Sequence, residues 1–135
     1  MRLDHIVVGD DLAPLELPLT TSFIVATALA SRDFQDVHHD PVLARERGAQ
    51  DIFMNIITTN GLVGRYVTAW AGPDARITKI ALRLGTPNYP GDTMTLTGQV
   101  TKVDNENIEV AVRGINSLGD HVIGTVHIVM PAAST

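Results

Sequence analysis

Residues 53–70 read FMNIITTNGLVGRYVTAW, the most apolar long run in the first half of the chain. Ile56, Ile57, Leu62, Val63, Tyr66, Val67 and Trp70 recur near helical spacing, which predicts one long apolar helix. Gly61 and Gly64 each weaken a helix interior by about 1 kcal/mol. Either a backbone or a ligand comes close there, or the regular helix starts only near Thr59. Ala71-Gly72-Pro73 ends it. After Asp74 the period changes to two. Residues 76–86, 93–103, 107–116 and 120–130 read as strands, with clear alternation in Ile80, Leu82, Leu84 and in Val122, Gly124, Val126, Ile128, Met130. Pro90-Gly91-Asp92, Asp104-Asn105-Glu106 and Leu118-Gly119-Asp120 are turn signals between them. Consecutive strands joined by short turns imply an antiparallel sheet. One long apolar helix followed by such strands predicts an α+β layer in which the sheet wraps around the helix.

Upstream of that helix the pattern is helix and loop. Residues 3–20 are extended and punctuated by Pro14 and Pro18. Thr20-Thr21-Ser22 offers capping hydroxyls for a short helix through roughly Ser31. Residues 32–41 are too polar and aperiodic for a core element and read as a structured loop. Asp40 as N-cap and Pro41 at the first helical position open a second helix, and Gly48 suits its C-terminal end.

The whole chain sets the outer bounds. Its 135 residues, 44% of them hydrophobic, suit a single domain, 1–135, large enough to bury a core without disulfides. With no cysteine, thiolate nucleophiles and cysteine-ligated metal centres are excluded. The net charge is −5 and the ten basic residues are scattered, unlike the clustered basic surface of a nucleic-acid binder. The first eleven residues do not resemble a signal peptide, and no stretch approaches the ~20 apolar residues of a membrane span. A soluble, cytoplasmic protein is expected.

The polar loop carries the chemistry. Asp33 and His38 lie five positions apart, flanked by His39 and Asp40. A carboxylate and an imidazole on one loop can hold a water between them, and histidine exchanges protons near neutral pH. Acyl chemistry also needs a donor at the thioester oxygen, which a backbone N–H at a helix start supplies. Gly61, expected near the start of the apolar helix, is the candidate. By spacing alone, an unremarkable loop is the commoner reading of an Asp and a His five apart.

Motif order adds to this. Ser31-Arg32-Asp33-Phe34-Gln35-Asp36-Val37-His38-His39-Asp40-Pro41, then Ala44, then Asn60-Gly61-Leu62, resembles the pattern G-D-x-N-P-x-H-x-D, A, H-G-M/L of the MaoC-like and (R)-specific enoyl-CoA hydratases. Leu82-Arg83-Leu84 leading to residues 87–93 resembles the family's strand and turn after the helix. The likeness runs over roughly residues 10–130. It implies a hotdog fold and hydration of an enoyl-CoA, with Asp33 and His38 activating water and the Gly61 N–H binding the thioester oxygen. Three departures stand out: Arg32 for Gly, Gln35-Asp36 for Asn-Pro, and Asn60 for His. The run 32–40, with Asp51-Ile52-Phe53, Asn55-Ile56, Arg65-Tyr66-Val67-Thr68 and Trp70-Ala71-Gly72-Pro73, is similar to the small catalytic subunits of actinobacterial steroid side-chain hydratases. That resemblance implies a steroid CoA thioester as substrate. It also implies a second MaoC-like chain bearing an OB-type domain as partner, in a heterotetramer; a homodimer is the alternative. No cofactor or metal enters the implied reaction.

A hotdog chain this short is expected to leave one sheet edge and one helix surface uncovered, and to pair side by side with CoA at the junction. Two rival functions share the fold: an acyl-CoA thioesterase, and a non-catalytic subunit that stabilises a catalytic partner. Among the remaining residues, Asp40 is expected to be only a cap, and His39 a loop residue. His5, His121 and His127 are expected at the surface, and Phe53, Tyr66 and Trp70 in core or interface. Arg65 and Arg83 receive no role.

Overall fold

The computed structural model describes residues 1–132. Its elements are β1 (Asp11–Pro18), α1 (Thr21–Ala30), α2 (Pro41–Glu46), α3 (Ile56–Ala71), β2 (Arg76–Leu84), β3 (Thr93–Asp104), β4 (Asn107–Asn116) and β5 (Gly119–Val129), with 3-10 turns at Leu3–His5 and Asp36–His38. The five strands form one antiparallel sheet in the order β1-β3-β4-β5-β2. α3 lies against it through Leu62, Val63, Tyr66, Val67 and Ala71. The sheet answers with Leu96, Val100, Val110, Val112, Val122, Val126 and Ile128, all buried in the same cluster. This is the expected α+β hotdog layout.

Two expectations change and one alternative is decided. The extended segment at the start is a true strand, β1, so the first half of the chain contributes to the sheet. Its register slips between Leu12 and Leu15 opposite β3. Pro14 sits in that irregularity, where a missing N–H costs no ladder bond. Next, β2 and β3 are not neighbours. β2 pairs with β5 and β3 pairs with β1, so residues 85–92 cross the sheet rather than turn a hairpin. Among the described residues two edges are therefore open, β1 and β2. Of the two alternatives left open at Gly61 and Gly64, a late start near Thr59 is not the one taken: α3 begins at Ile56, as its helical spacing predicts, with Asn55 as its cap, so both glycines fall inside it. Burial of one whole face against the sheet outweighs their weak propensity.

The crossing segment is held by buried amides. Asn116 Nδ2 donates to the Pro87 carbonyl at 2.9 Å and to Asn88 Oδ1 at 2.9 Å, and the Met54 N–H donates to the Asn88 carbonyl at 3.1 Å. The chain just before α3 is thereby tied to the sheet.

His121 is buried, against expectation; His5 is exposed and His127 is about one-third exposed. Gly114 pairs with Val122 and Ile115 with Asp120, so His121 is the extra residue of a β-bulge. The bulge turns it inward beside Val122. The Thr86 carbonyl, 2.7 Å from Nδ1, can only accept, so Nδ1 carries the proton and Nε2 accepts from the Thr59 hydroxyl at 2.8 Å. Burial pushes the imidazole pKa below its ordinary value, partly opposed by the bond to Thr86. A base whose folded pKa is lowered contributes stability above its unfolded value of about 6.5, lost as pH falls toward the folded value. Thermal midpoints should therefore fall with acidification below pH ~6.5. His121→Gln should be less stable at pH above ~7 yet flatter through that acid range; an unchanged acid slope in the variant would remove His121 as its source.

Candidate active site

α1 starts on the Thr20 side chain, which accepts from the Phe23 N–H. It ends in a tight reversal: the Arg32 N–H donates to the Leu29 carbonyl and the Asp33 N–H to the Ala28 carbonyl. That is the Schellman pattern, and it requires a left-handed residue at position 32. Arg32 takes it with φ 57, where glycine has no steric penalty and a side chain costs about 1–2 kcal/mol. The reversal aims Asp33 back toward α3.

From there the loop is fastened at both ends. Asp36 receives Arg47 on both oxygens, at 2.7 and 2.8 Å, and this bond holds its carboxyl below the usual carboxylate range. Arg47 follows α2, whose start is capped by Asp40 through the Val42 and Leu43 N–H groups, with Pro41 at the first helical position. Asp36 of the Gln35-Asp36 departure thus has a structural reason: an ion pair joins the loop to the residue that ends α2; nothing in the structure explains Gln35.

The 3-10 turn Asp36–His38 carries His38 inward to 6% exposure, while His39 stays exposed. His38 Nδ1 lies 2.7 Å from the Phe53 carbonyl, and the Phe53 ring meets the imidazole edge-on at 5.0 Å. A carbonyl only accepts, so Nδ1 donates and the neutral ring keeps its lone pair on Nε2. That nitrogen stands 3.3 Å from Asp33 Oδ2. The other carboxylate oxygen accepts from the Gln35 N–H at 3.3 Å, and Oδ2 also accepts from Asn55 Nδ2 at 3.1 Å. Asp33 and His38 are therefore brought together, largely buried, with two acceptors facing one space.

Gly61 is not brought to the helix start. It is the sixth residue of α3, where an N–H bonds the carbonyl four residues earlier. The donors that the helix ladder leaves free belong to Ile56 and Ile57, because the Thr58 N–H is taken by Asn55 Oδ1 and the Thr59 N–H by the Asn55 carbonyl. The helix-start pattern falls on Asn55-Ile56-Ile57, not on Asn60-Gly61-Leu62. Gly61 instead floors an apolar groove of about 320 Å³ between α1 and α3, lined also by Phe23, Thr27, Ala30, Ile57 and Leu62.

The sequence reading gives Asn55 no role of its own, although an Asn just before an apolar run is a helix-start signal. Tyr66 is a core residue whose hydroxyl donates to the Ala13 carbonyl at 2.8 Å. Arg65 lines a second groove with Tyr66 and Trp70. No group of three or more His, Asp or Glu side chains placed to hold a metal occurs among the described residues. Nor is any helix there long and apolar enough to cross a membrane.

The family model for the MaoC like domain matches residues 7–118. The chain is 56% identical over 124 residues to the 3-oxo-4,17-pregnadiene-20-carboxyl-CoA hydratase beta subunit of Mycobacterium tuberculosis, covering 92% of this chain and 96% of that one. Among solved structures, a chain of the ChsH1-ChsH2 complex from Mycobacterium tuberculosis superposes with TM-score 0.91 at 56% identity, over 93% of this chain and 98% of its own. The (R)-hydratase from A. caviae involved in PHA biosynthesis superposes with TM-score 0.85 over 94% of this chain and 98% of its own, at 21% identity, and so shows the shared fold.

A Cβ at Gly61 would meet nothing within 4 Å. Gly61→Ala should therefore stabilise the chain by up to about 1 kcal/mol through helix propensity alone. Urea unfolding reads this directly; a destabilised variant would mean that the groove does not have the room described.

Proposed function

The chain belongs to the MaoC-like family, and on that premise we propose that it is the catalytic chain of an enoyl-CoA hydratase acting on a steroid side-chain CoA thioester. The observation that carries this reading is the 3.3 Å approach of His38 Nε2 to Asp33 Oδ2. Supporting it is the 56% identity, over nearly the full length of both chains, to a subunit named for a pregnadiene-carboxyl-CoA hydratase.

The geometry performs the reaction as follows. With Nδ1 committed to the Phe53 carbonyl, Nε2 and Asp33 Oδ2 are both acceptors. A water between them donates one hydrogen to each and turns an oxygen lone pair toward the substrate. Its oxygen bonds the β-carbon of the enoyl thioester while one O–H bond breaks, and the pair takes that proton. The electrons of the double bond move onto the thioester oxygen as an enolate. The pair then returns a proton to the α-carbon, so acid and base end as they began. The enolate oxygen accepts from the free N–H groups at the start of α3, where the helix dipole also favours negative charge. This role passes from Gly61 to Ile56 and Ile57.

Assembly follows from the open edges. β1 is broken by Pro14 and its register slip and closes with Pro18. β2 is a nine-residue strand without proline, with one irregularity between Ile77 and Lys79, and among the described residues it is bordered only by β5. A proline-free edge of this length is still a template for another strand. A second MaoC-like chain pairs there, and CoA lies at the junction. The structure named for ChsH1 and ChsH2 is of a complex, which supports a heteromeric partner over a second copy. A CoA thioester substrate favours the cytoplasm as its compartment.

Asp33→Asn and His38→Ala, each assembled with the partner chain, should lose activity by roughly 10²–10⁴-fold without loss of the complex. The decay of the enoyl-thioester absorbance measures the rate. Full activity in both variants would refute the catalytic assignment and leave a stabilising subunit as the reading.

A further inference from the structure

We infer that Asn55 is a positioning residue for this reaction: its amide fixes the Asp33 carboxylate against the first turn of α3. The inference rests on the Asp33–His38 reading and adds a third residue to it.

Asn55 is 2% exposed. An amide has two N–H donors and a carbonyl oxygen with two lone pairs, and all four are engaged. Nδ2 donates to Ser31 Oγ at 2.9 Å and to Asp33 Oδ2 at 3.1 Å. Oδ1 accepts from the Thr58 N–H at 3.1 Å and from the Thr58 hydroxyl. The opposite amide orientation would set Oδ1 against the Asp33 carboxylate and the NH2 against the Thr58 N–H, so the network fixes which way it points. Ser31 is itself bonded back into α1, with Oγ 2.8 Å from the Thr27 carbonyl. One side chain therefore joins the end of α1, the carboxylate and the start of α3.

Capping α3 requires only an oxygen, and Ser, Thr or Asp would serve. The two N–H groups are what asparagine adds, and one of them rests on the Asp33 oxygen nearest His38. With the Gln35 N–H on the other oxygen, the plane of the carboxylate is determined. Its distance to the free Ile56 and Ile57 N–H groups is then set by a single rigid amide. Those are the two ends between which water and thioester oxygen must be held. A misplacement of 1 Å at such a site costs on the order of 100-fold.

The test compares Asn55→Asp and Asn55→Ser in the complex with the partner chain, with rates taken per assembled complex. Asp keeps the cap and places a second carboxylate on Asp33. The expected result is a fall in kcat of about 10–100-fold with KM within about threefold, and movement of the acid limb of kcat to higher pH, because like charges disfavour ionisation. Ser keeps the cap and cannot donate to Asp33; its kcat should fall without that pH movement. Asn55→Gln, which keeps the amide on a longer arm, should recover part of the loss. If Asn55→Asp does not assemble, Asn55→Ser carries the comparison. Wild-type kcat and pH profile in an assembled variant, even one with a lower melting temperature, would overturn the inference and leave Asn55 as a cap. Asp33→Asn is measured alongside. If it is inactive while the Asn55 variants are unaffected, only the role of Asn55 falls. If it is active, the catalytic reading itself falls.

Discussion

One face of α3 has to be kept from water, and the chain that follows it must do the covering. Val63 and Val67 are fully buried, and Leu62, Tyr66 and Ala71 nearly so. Each large side chain removed from water contributes roughly 1.5–3 kcal/mol before conformational entropy is charged against it. An isolated helix of this length, with two glycines in it, is marginal in water. Packing against five strands makes it persist, and the other elements are arranged around that contact. β1 closes one side of the sheet, β2 the other, and residues 85–92 cross between them under buried amide bonds.

The site is a consequence of where that helix begins. α1 ends in a left-handed turn at Arg32 that sends Asp33 toward α3. The Asp36–Arg47 clamp and the Phe53 carbonyl bring His38 to meet it. Asn55, the residue that starts the helix, holds the carboxylate. His121 braces the same turn from the sheet side through Thr59, whose N–H bonds the Asn55 carbonyl. The carboxylate is tied to the cap of one buried helix, the free N–H groups belong to its first turn, and the imidazole is tied to the Phe53 carbonyl two residues before the cap. The open β2 edge lies on the same sheet, so the fold that orders the site also leaves a place for a second chain.

Much of this was legible in the residues. The period-two strands β2 to β5, the Thr20 and Asp40 caps and Pro41 at the head of α2 all follow local rules, and the structure keeps them; the Asp33–His38 pair is legible only through motif resemblance, because spacing alone favours an unremarkable loop. The misreadings have tertiary causes. β1 was hidden by its prolines, which an edge strand tolerates. The start of α3 stays open in the sequence between a close approach at the glycines and a start near Thr59, because Gly61 and Gly64 are poor helix formers and nothing local reveals the sheet that overrides them. The match of Asn60-Gly61-Leu62 to the family's helix-start motif is what places the oxyanion donor at Gly61. His121 sits at an outward position of its strand pattern, and only the bulge opposite Gly114 and Ile115 turns it inward. The sheet order, with β2 beside β5, is a long-range property that turn signals do not encode.

The central claim is that water and thioester oxygen are held between the Asp33–His38 pair and the first turn of α3. A crystal structure of the assembled complex with the 3-hydroxyacyl-CoA product tests it most directly. The expected result has the product hydroxyl within hydrogen-bond distance of both Asp33 Oδ2 and His38 Nε2, and the thioester oxygen accepting from the Ile56 or Ile57 N–H. A hydroxyl out of reach of the pair, or a thioester oxygen bound away from the start of α3, would contradict it.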